Sequence, residues 1–314
     1  MSKKSKKNRT NKNKTKKIWE KMNCHPNMKN KTISNESCYN TDIIIKIKDS
    51  YNRNHSNRIY SHEPKQVWEE LRQKIKHCNK EDCWLNELND EKEIQKVDDL
   101  LFSPDRPNSW DENPNEWLSN YDIAHVLKQY EISHPSFRLL GPSAIDYDNK
   151  PYGNDKCVWQ DLCRLSLQDL LNRNKTKLGI VFNLDKHNEP GSHWVSMFVD
   201  LEDKTIFYYD SALNPVPKQI SKLKREIIKQ GKNLDKPIKF TYIQNEYSHQ
   251  KTNTECGMYT LFFIITMLTK EMKSNKVYGG RKKLSKKKII DLFLRPGIND
   301  KLMMDYREEY FNHK

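Results

Sequence analysis

Between Met258 and Leu268 the chain is almost wholly apolar, and the pair that opens this run is Cys256-Gly257. A helix without a polar stripe has to be wrapped by the rest of the fold, so the run predicts a buried helix packed on by other elements. It falls short of the roughly 20 residues that a bilayer span requires. A thiol at such a helix start meets unpaired N–H groups and the positive end of the helix dipole, which favour thiolate over thiol. Gln250, just upstream, adds a neutral amide donor, and Gly257 lets a substrate backbone come close. Taken alone, a cysteine before an apolar helix is more often a packed core residue.

What distinguishes a nucleophile from a core residue is a base, and the segment from Gly191 to Ser211 offers one. Residues 193–199 and 205–210 are rich in β-branched and aromatic types, separated by a polar group around Asp200 to Lys204, a pattern that predicts a β-hairpin. A turn centred there sets His193 opposite Asp210, or within one pair of it, on the same face. The carboxylate then holds one ring nitrogen while the other addresses a thiol, the geometry of a Cys–His–Asp triad.

His193-Trp194, Asp210-Ser211, then Gln250 with Cys256-Gly257 following resemble, in order and placement, the superfamily of SUMO-specific proteases and the adenovirus maturation protease. The resemblance covers residues 110–270 and extends to Glu116-Trp117-Leu118, similar to the Trp-Leu motif that opens the SUMO-protease catalytic domain. Asn120 stands where an aspartate is usual, so no role is carried onto it. The resemblance implies Cys256 as nucleophile, His193 as general base and later acid, Asp210 as its orienter, and Gln250 with the Cys256 N–H as oxyanion donors. It also implies that Trp194 and Trp117 flank a channel too narrow for anything but a Gly-Gly segment. The implied fold is α+β, of the ubiquitin-like-protein protease and adenain type. A small mixed sheet packs against the central nucleophile helix, with a mainly helical N-terminal arm added.

The rest of the chain divides by composition. Residues 1–17 carry eight lysines and one arginine with no acid, and removing these nine cations from the formal +14 leaves +5. Such a tract is expected to be disordered, serving as a solubilising tail, a targeting signal or a non-specific nucleic-acid contact. Residues 18–102 are expected to form an accessory, mainly helical arm, with Val67, Leu71, Ile75 and Cys78 on one helical stripe after Pro64. A second helix is expected around Ile94 to Leu101 and a short strand at Ile43 to Ile47. Residues 103–314 form the expected catalytic domain. Its helices fall at Trp117 to Tyr130, Cys157 to Asn172, Lys218 to Lys229 and within 283–311, and its strands at Leu178 to Leu184 and Ile238 to Ile243, beside the hairpin. Seven cysteines without regular spacing, and no secretion signal, point to an intracellular protein without a disulfide framework. The Cys and His spacings miss those of zinc sites, and nothing in the sequence calls for a metal or cofactor.

The expected function is therefore that of a cysteine endopeptidase cleaving after Gly-Gly-type sequences. Lysine and asparagine richness points to a large DNA virus, and then to maturation of structural precursors inside the virion. The alternatives are removal of a SUMO- or ubiquitin-like modifier and, from another class, an inactive basic binding protein on a protease fold. The expected partner is a protein substrate with a Gly-Gly motif, met by a monomer away from membranes. Tyr278-Gly279-Gly280-Arg281 reads as an interhelical loop and offers such a site within the chain itself.

Overall fold

The computed structural model describes residues 19–151, 153, 155–273 and 281–313, so the basic segment 1–17 and Gly279-Gly280 lie outside the described residues. Among the described residues two units are present, one formed by 19–22 together with 32–98, the other by 23–31 together with those from 99 onward.

The smaller unit holds α1 (Thr41–Asn54), α2 (Pro64–Lys74) and most of α3 (Glu91–Leu101). The stretch Ile43 to Ile47, expected as a strand, lies in α1. The Asn40 side chain caps that helix by accepting from the Ile43 N–H at 2.9 Å, and Ile44, Ile47 and Tyr51 are buried at helical spacing. Helix α2 ends at Lys74, so Cys78 does not belong to its stripe. It is instead paired with Cys83, Cα atoms 6.3 Å apart; Cys157 and Cys163 are likewise paired at 6.2 Å. Trp84 stacks on Tyr39 at 5.8 Å, and beside them the buried Glu81 accepts from the Cys38 N–H and the Trp68 indole. Burial pushes the Glu81 carboxyl up to about 7.

The larger unit is built on a five-stranded sheet in the order β1 (Phe137–Ala144), β2 (Lys177–Asn183), β3 (Trp194–Asp200), β4 (Thr205–Tyr209), β5 (Thr241–Gln244). The outer pairs β1/β2 and β4/β5 are parallel and the inner pairs antiparallel, which makes the sheet mixed. Every residue of β3 and β4 is buried, because both faces are covered. On one face Phe198, Phe207 and Tyr209 pack with α4 (Asn120–Ser133), α8 (Cys256–Thr269), α9 (Lys286–Leu294) and α10 (Asp300–Tyr310). On the other, Val195, Met197 and Ile206 pack with α5 (Gln160–Cys163), α6 (Leu167–Asn172) and α7 (Lys218–Lys232). The single helix expected over 157–172 is two short ones, because Ser166 accepts from the Asp169 N–H and starts a new turn. Strand β1 is not among the expected strands. Gly141-Pro142 interrupts its pairing with β2 between Leu140 and Ser143, which masks the strand pattern.

Helix α8 is the centre of this unit. Every residue from Cys256 to Thr266 is buried, at roughly 1.5–3 kcal/mol of hydrophobic stabilisation for each large side chain before entropy is counted. The α+β class, the mixed sheet and the central Cys256 helix agree with the expected architecture. Residues 23–31 join this unit through backbone bonds from His25 N–H to the Leu101 carbonyl (2.8 Å) and from Ser103 N–H to the Asn23 carbonyl (2.9 Å). The sequence pattern alone kept them with the arm. Among the described residues no helix is long and apolar enough to cross a membrane.

Candidate active site

The start of β3, the end of β4 and the start of α8 converge. The hairpin register pairs Ser196 with Tyr209 and Asp200 with Thr205. Continued outward, it sets His193 diagonal to Asp210 on the same face, within reach of a long side chain. His193 Nε2 lies 2.6 Å from Asp210 Oδ1, which leaves Nδ1 for the thiol, and the imidazole is hydrogen-bonded to Cys256.

Asp210 is 1 % exposed and holds its charge by collecting donors. Its Oδ1 also accepts from the Ala212 N–H at 2.9 Å, and its Oδ2 accepts from the Asn214 N–H at 2.9 Å and Asn214 Nδ2 at 3.1 Å. Burial alone would raise its pKa, but the bond and charge of His193 and these backbone donors hold it below the ordinary carboxylate value. Burial likewise works against a charged His193. The bonds to Asp210 and Cys256 prevail, and the imidazole is raised to about 9. A protonated imidazole beside a sulfur is the partner that a thiolate nucleophile requires.

Two residues without a role in the sequence reading hold this arrangement. Asn245, 1 % exposed, clamps the Asp210 backbone from both sides: its Oδ1 accepts from the Asp210 N–H at 3.0 Å and its Nδ2 donates to the Asp210 carbonyl at 2.7 Å. Ser211 Oγ donates to Gln250 Oε1 at 2.7 Å, and the Ser211 carbonyl accepts the Gln250 N–H at 3.0 Å. With Oε1 occupied, the amide of Gln250 presents Nε2 as its donor end. The loop leading to Cys256 is tied to α10, where Asp300 Oδ2 accepts from the N–H groups of Lys251 (3.0 Å) and Thr252 (2.9 Å) and Oδ1 from the Tyr259 hydroxyl.

The tryptophans differ in setting. Trp194 is buried and its indole donates to the Leu118 carbonyl at 2.9 Å. Trp117 is 42 % exposed and precedes α4, whose start is fixed by a capping box between Ser119 and Asp122. The expected helix from Trp117 therefore begins at Asn120, and Trp117 is no core residue. A Cβ at Gly257 would lie 2.9 Å from the Leu118 Cβ, so the glycine admits Leu118 against the start of α8. Asn183 shapes the loop before His193 by accepting from the N–H groups of Asp185 and Ser192.

Residues 172–307 match the family model described as the Ulp1 protease family, C-terminal catalytic domain. That stretch, under half of the chain, is similar to the catalytic domain of Ulp1-type cysteine peptidases. A protein of Acanthamoeba polyphaga mimivirus, named a thiol protease, is 28% identical over 273 residues, which cover 77% of this chain and 84% of that protein. A protein of African swine fever virus is 28% identical over 157 residues, covering 47% of this chain and 56% of that protein. It is named a cysteine protease and, in other isolates, a SUMO-1 cysteine protease. The crystal structure of an African swine fever virus protease has the same fold, with a TM-score of 0.60 at 19% identity over 93% of this chain and 96% of that one. The matched stretch takes in β3, β4, α8 and all but the last residues of α10, the elements that meet around Cys256.

Proposed function

We propose that this Ulp1-family peptidase cleaves polypeptides after Gly-Gly-type sequences and matures the structural precursors of a large DNA virus, acting in the assembling virion. The observation that carries the reading is the convergence of the His193–Asp210 pair on a cysteine at the start of a buried helix. Cys256 Sγ attacks the carbonyl carbon of the second glycine, and the oxyanion is met by Gln250 Nε2 and the Cys256 N–H. His193 passes its proton to the leaving amine, then takes one from the water that hydrolyses the thioester. Trp194 and the exposed Trp117 form the walls that admit glycine and exclude larger residues.

The test compares wild type with Cys256→Ala on Gly-Gly-x peptides and on a modifier–glycine probe. Turnover of the peptides by wild type alone is the expected result. Equal, negligible turnover by both proteins on every substrate would leave the inactive binding protein. Removal of a SUMO-like modifier is the second reading, favoured by the SUMO-1 protease name carried by the African swine fever virus relatives. Turnover of the modifier probe in preference to the peptides would establish it. The nucleic-acid contact assigned to residues 1–17 adds a salt-sensitive affinity for any duplex, read by titration at rising ionic strength.

A further inference from the structure

Glu255 and Arg307 form an ion pair in which each side chain is 2% exposed, one residue before the proposed nucleophile. Arg307 Nε donates to Glu255 Oε2 at 3.0 Å and Nη2 to Oε1 at 3.1 Å. The same Nη2 donates to the Glu116 carbonyl at 2.9 Å, and the guanidinium carbon lies 4.4 Å from the centre of the Trp110 ring. Taking both charges out of water costs more than such a pair commonly returns, and apolar residues of like volume often serve stability equally well. Location gives the pair its meaning. Glu255 is the N-cap residue of α8, with φ −98° and ψ 6°, yet its side chain makes no capping bond. A short carboxylate, an aspartate, commonly accepts from the N–H groups of the first helical turn in that place; the longer Glu255 side chain reaches Arg307 instead and also accepts from the Thr254 hydroxyl at 3.2 Å. Here Arg307 holds it away from them and neutralises it.

We infer that Arg307 is a positioning residue for the peptidase reaction: it withdraws the Glu255 carboxylate from the start of α8, leaving the helix's positive end to the Cys256 thiolate and the oxyanion. Through the Glu116 carbonyl, the same guanidinium sets the Trp117–Leu118 wall against that helix start. Without Arg307 the carboxylate is free to cap the first turn and places a negative charge beside the sulfur, which opposes thiolate formation. The inference rests on Cys256 being the nucleophile, but not on the Gly-Gly substrate.

The experiment uses the full chain as wild type, Arg307→Met, Arg307→Lys and the double variant Glu255→Gln/Arg307→Met. Three quantities are read: thermal unfolding, the rate of Cys256 alkylation by iodoacetamide at pH 7 followed on its own peptide by mass spectrometry, and kcat and KM on a Gly-Gly coumarin-amide peptide. Arg307→Met is expected to slow alkylation and kcat about tenfold or more. The double variant, which carries no buried charge at this position, is expected to recover alkylation to within about threefold of wild type. Should Arg307→Met fail to fold, Arg307→Lys carries the test: it keeps the charge and loses the fork, so alkylation is retained while kcat falls. A folded Arg307→Met protein alkylated at the wild-type rate overturns the inference, as does an Arg307→Lys protein with both rates intact. If wild type turns over no Gly-Gly peptide while the alkylation pattern holds, the substrate reading fails and the role of Arg307 stands.

Discussion

Asp210→Asn tests the coupling at the centre of the site. In the wild type, His193 is raised from the ordinary 6.5 to about 9, against the effect of its own burial. At about 1.36 kcal/mol for each tenfold change in proton affinity, this corresponds to about 3 kcal/mol of stability. Because the folded value is the higher one, that contribution is complete below pH 6.5 and is lost as the pH rises through about 9. Asp210, held below the ordinary carboxylate value, stays ionised across this window and adds no slope of its own. An amide accepts the Nε2–H bond but supplies no charge, so burial then pulls the imidazole back toward or below its ordinary value. Urea unfolding of both proteins at pH 6, 7.5 and 9 should show wild type exceeding Asp210→Asn at pH 6, with the difference shrinking toward pH 9 by up to about 3 kcal/mol, less the share of the shift that Cys256 supplies in both proteins. A stability difference that is flat from pH 6 to 9 would refute the claim that Asp210 keeps His193 protonated.

Gln250→Ala should lower kcat about 10²–10³-fold with little change in KM, and Ser211→Ala, which frees the Gln250 amide to turn, should lower it less; steady-state kinetics on a Gly-Gly peptide separates the two. Gly257→Ala forces a Cβ onto Leu118, so it should destabilise the fold by about 1–3 kcal/mol in urea titration and raise KM by disturbing the carbonyl that holds Trp194. Asn245→Ala strands the buried N–H and carbonyl of Asp210; a loss of about 1–3 kcal/mol is expected, with a fall in kcat that Asn245→Asp does not restore, since a carboxylate cannot donate to the carbonyl.

The residues that meet at Cys256 were easier to read in the sequence than the residues that hold them. A cysteine before an apolar run is by itself more often core, but together with a histidine before a β-rich run it announces chemistry. The hairpin register then fixes which acid the histidine meets. Asn245 and Arg307 carry no such mark, because nothing about an asparagine in a loop says which backbone it will clamp, and an arginine on an amphipathic helix ordinarily faces water. Secondary structure failed where local preference and tertiary context disagree. The β-branched run at Ile43 favours a strand, but the Asn40 cap and burial of Ile44, Ile47 and Tyr51 impose a helix. In β1, Gly141-Pro142 hides a strand that parallel pairing with β2 nevertheless sustains.

The ties from Asp300 and Arg307 to the loop before Cys256 set an order in time. Synthesis delivers His193, Asp210 and Cys256 before either tie, since α10 follows α8 in the chain. A nascent chain that has emerged only as far as α8 carries the reacting groups without the contacts that aim them. The site is complete only once Arg307 has left the ribosome and α10 has docked. Prematurely terminated chains that stop short of α10 lack the contacts of Asp300 and Arg307 with the loop before Cys256.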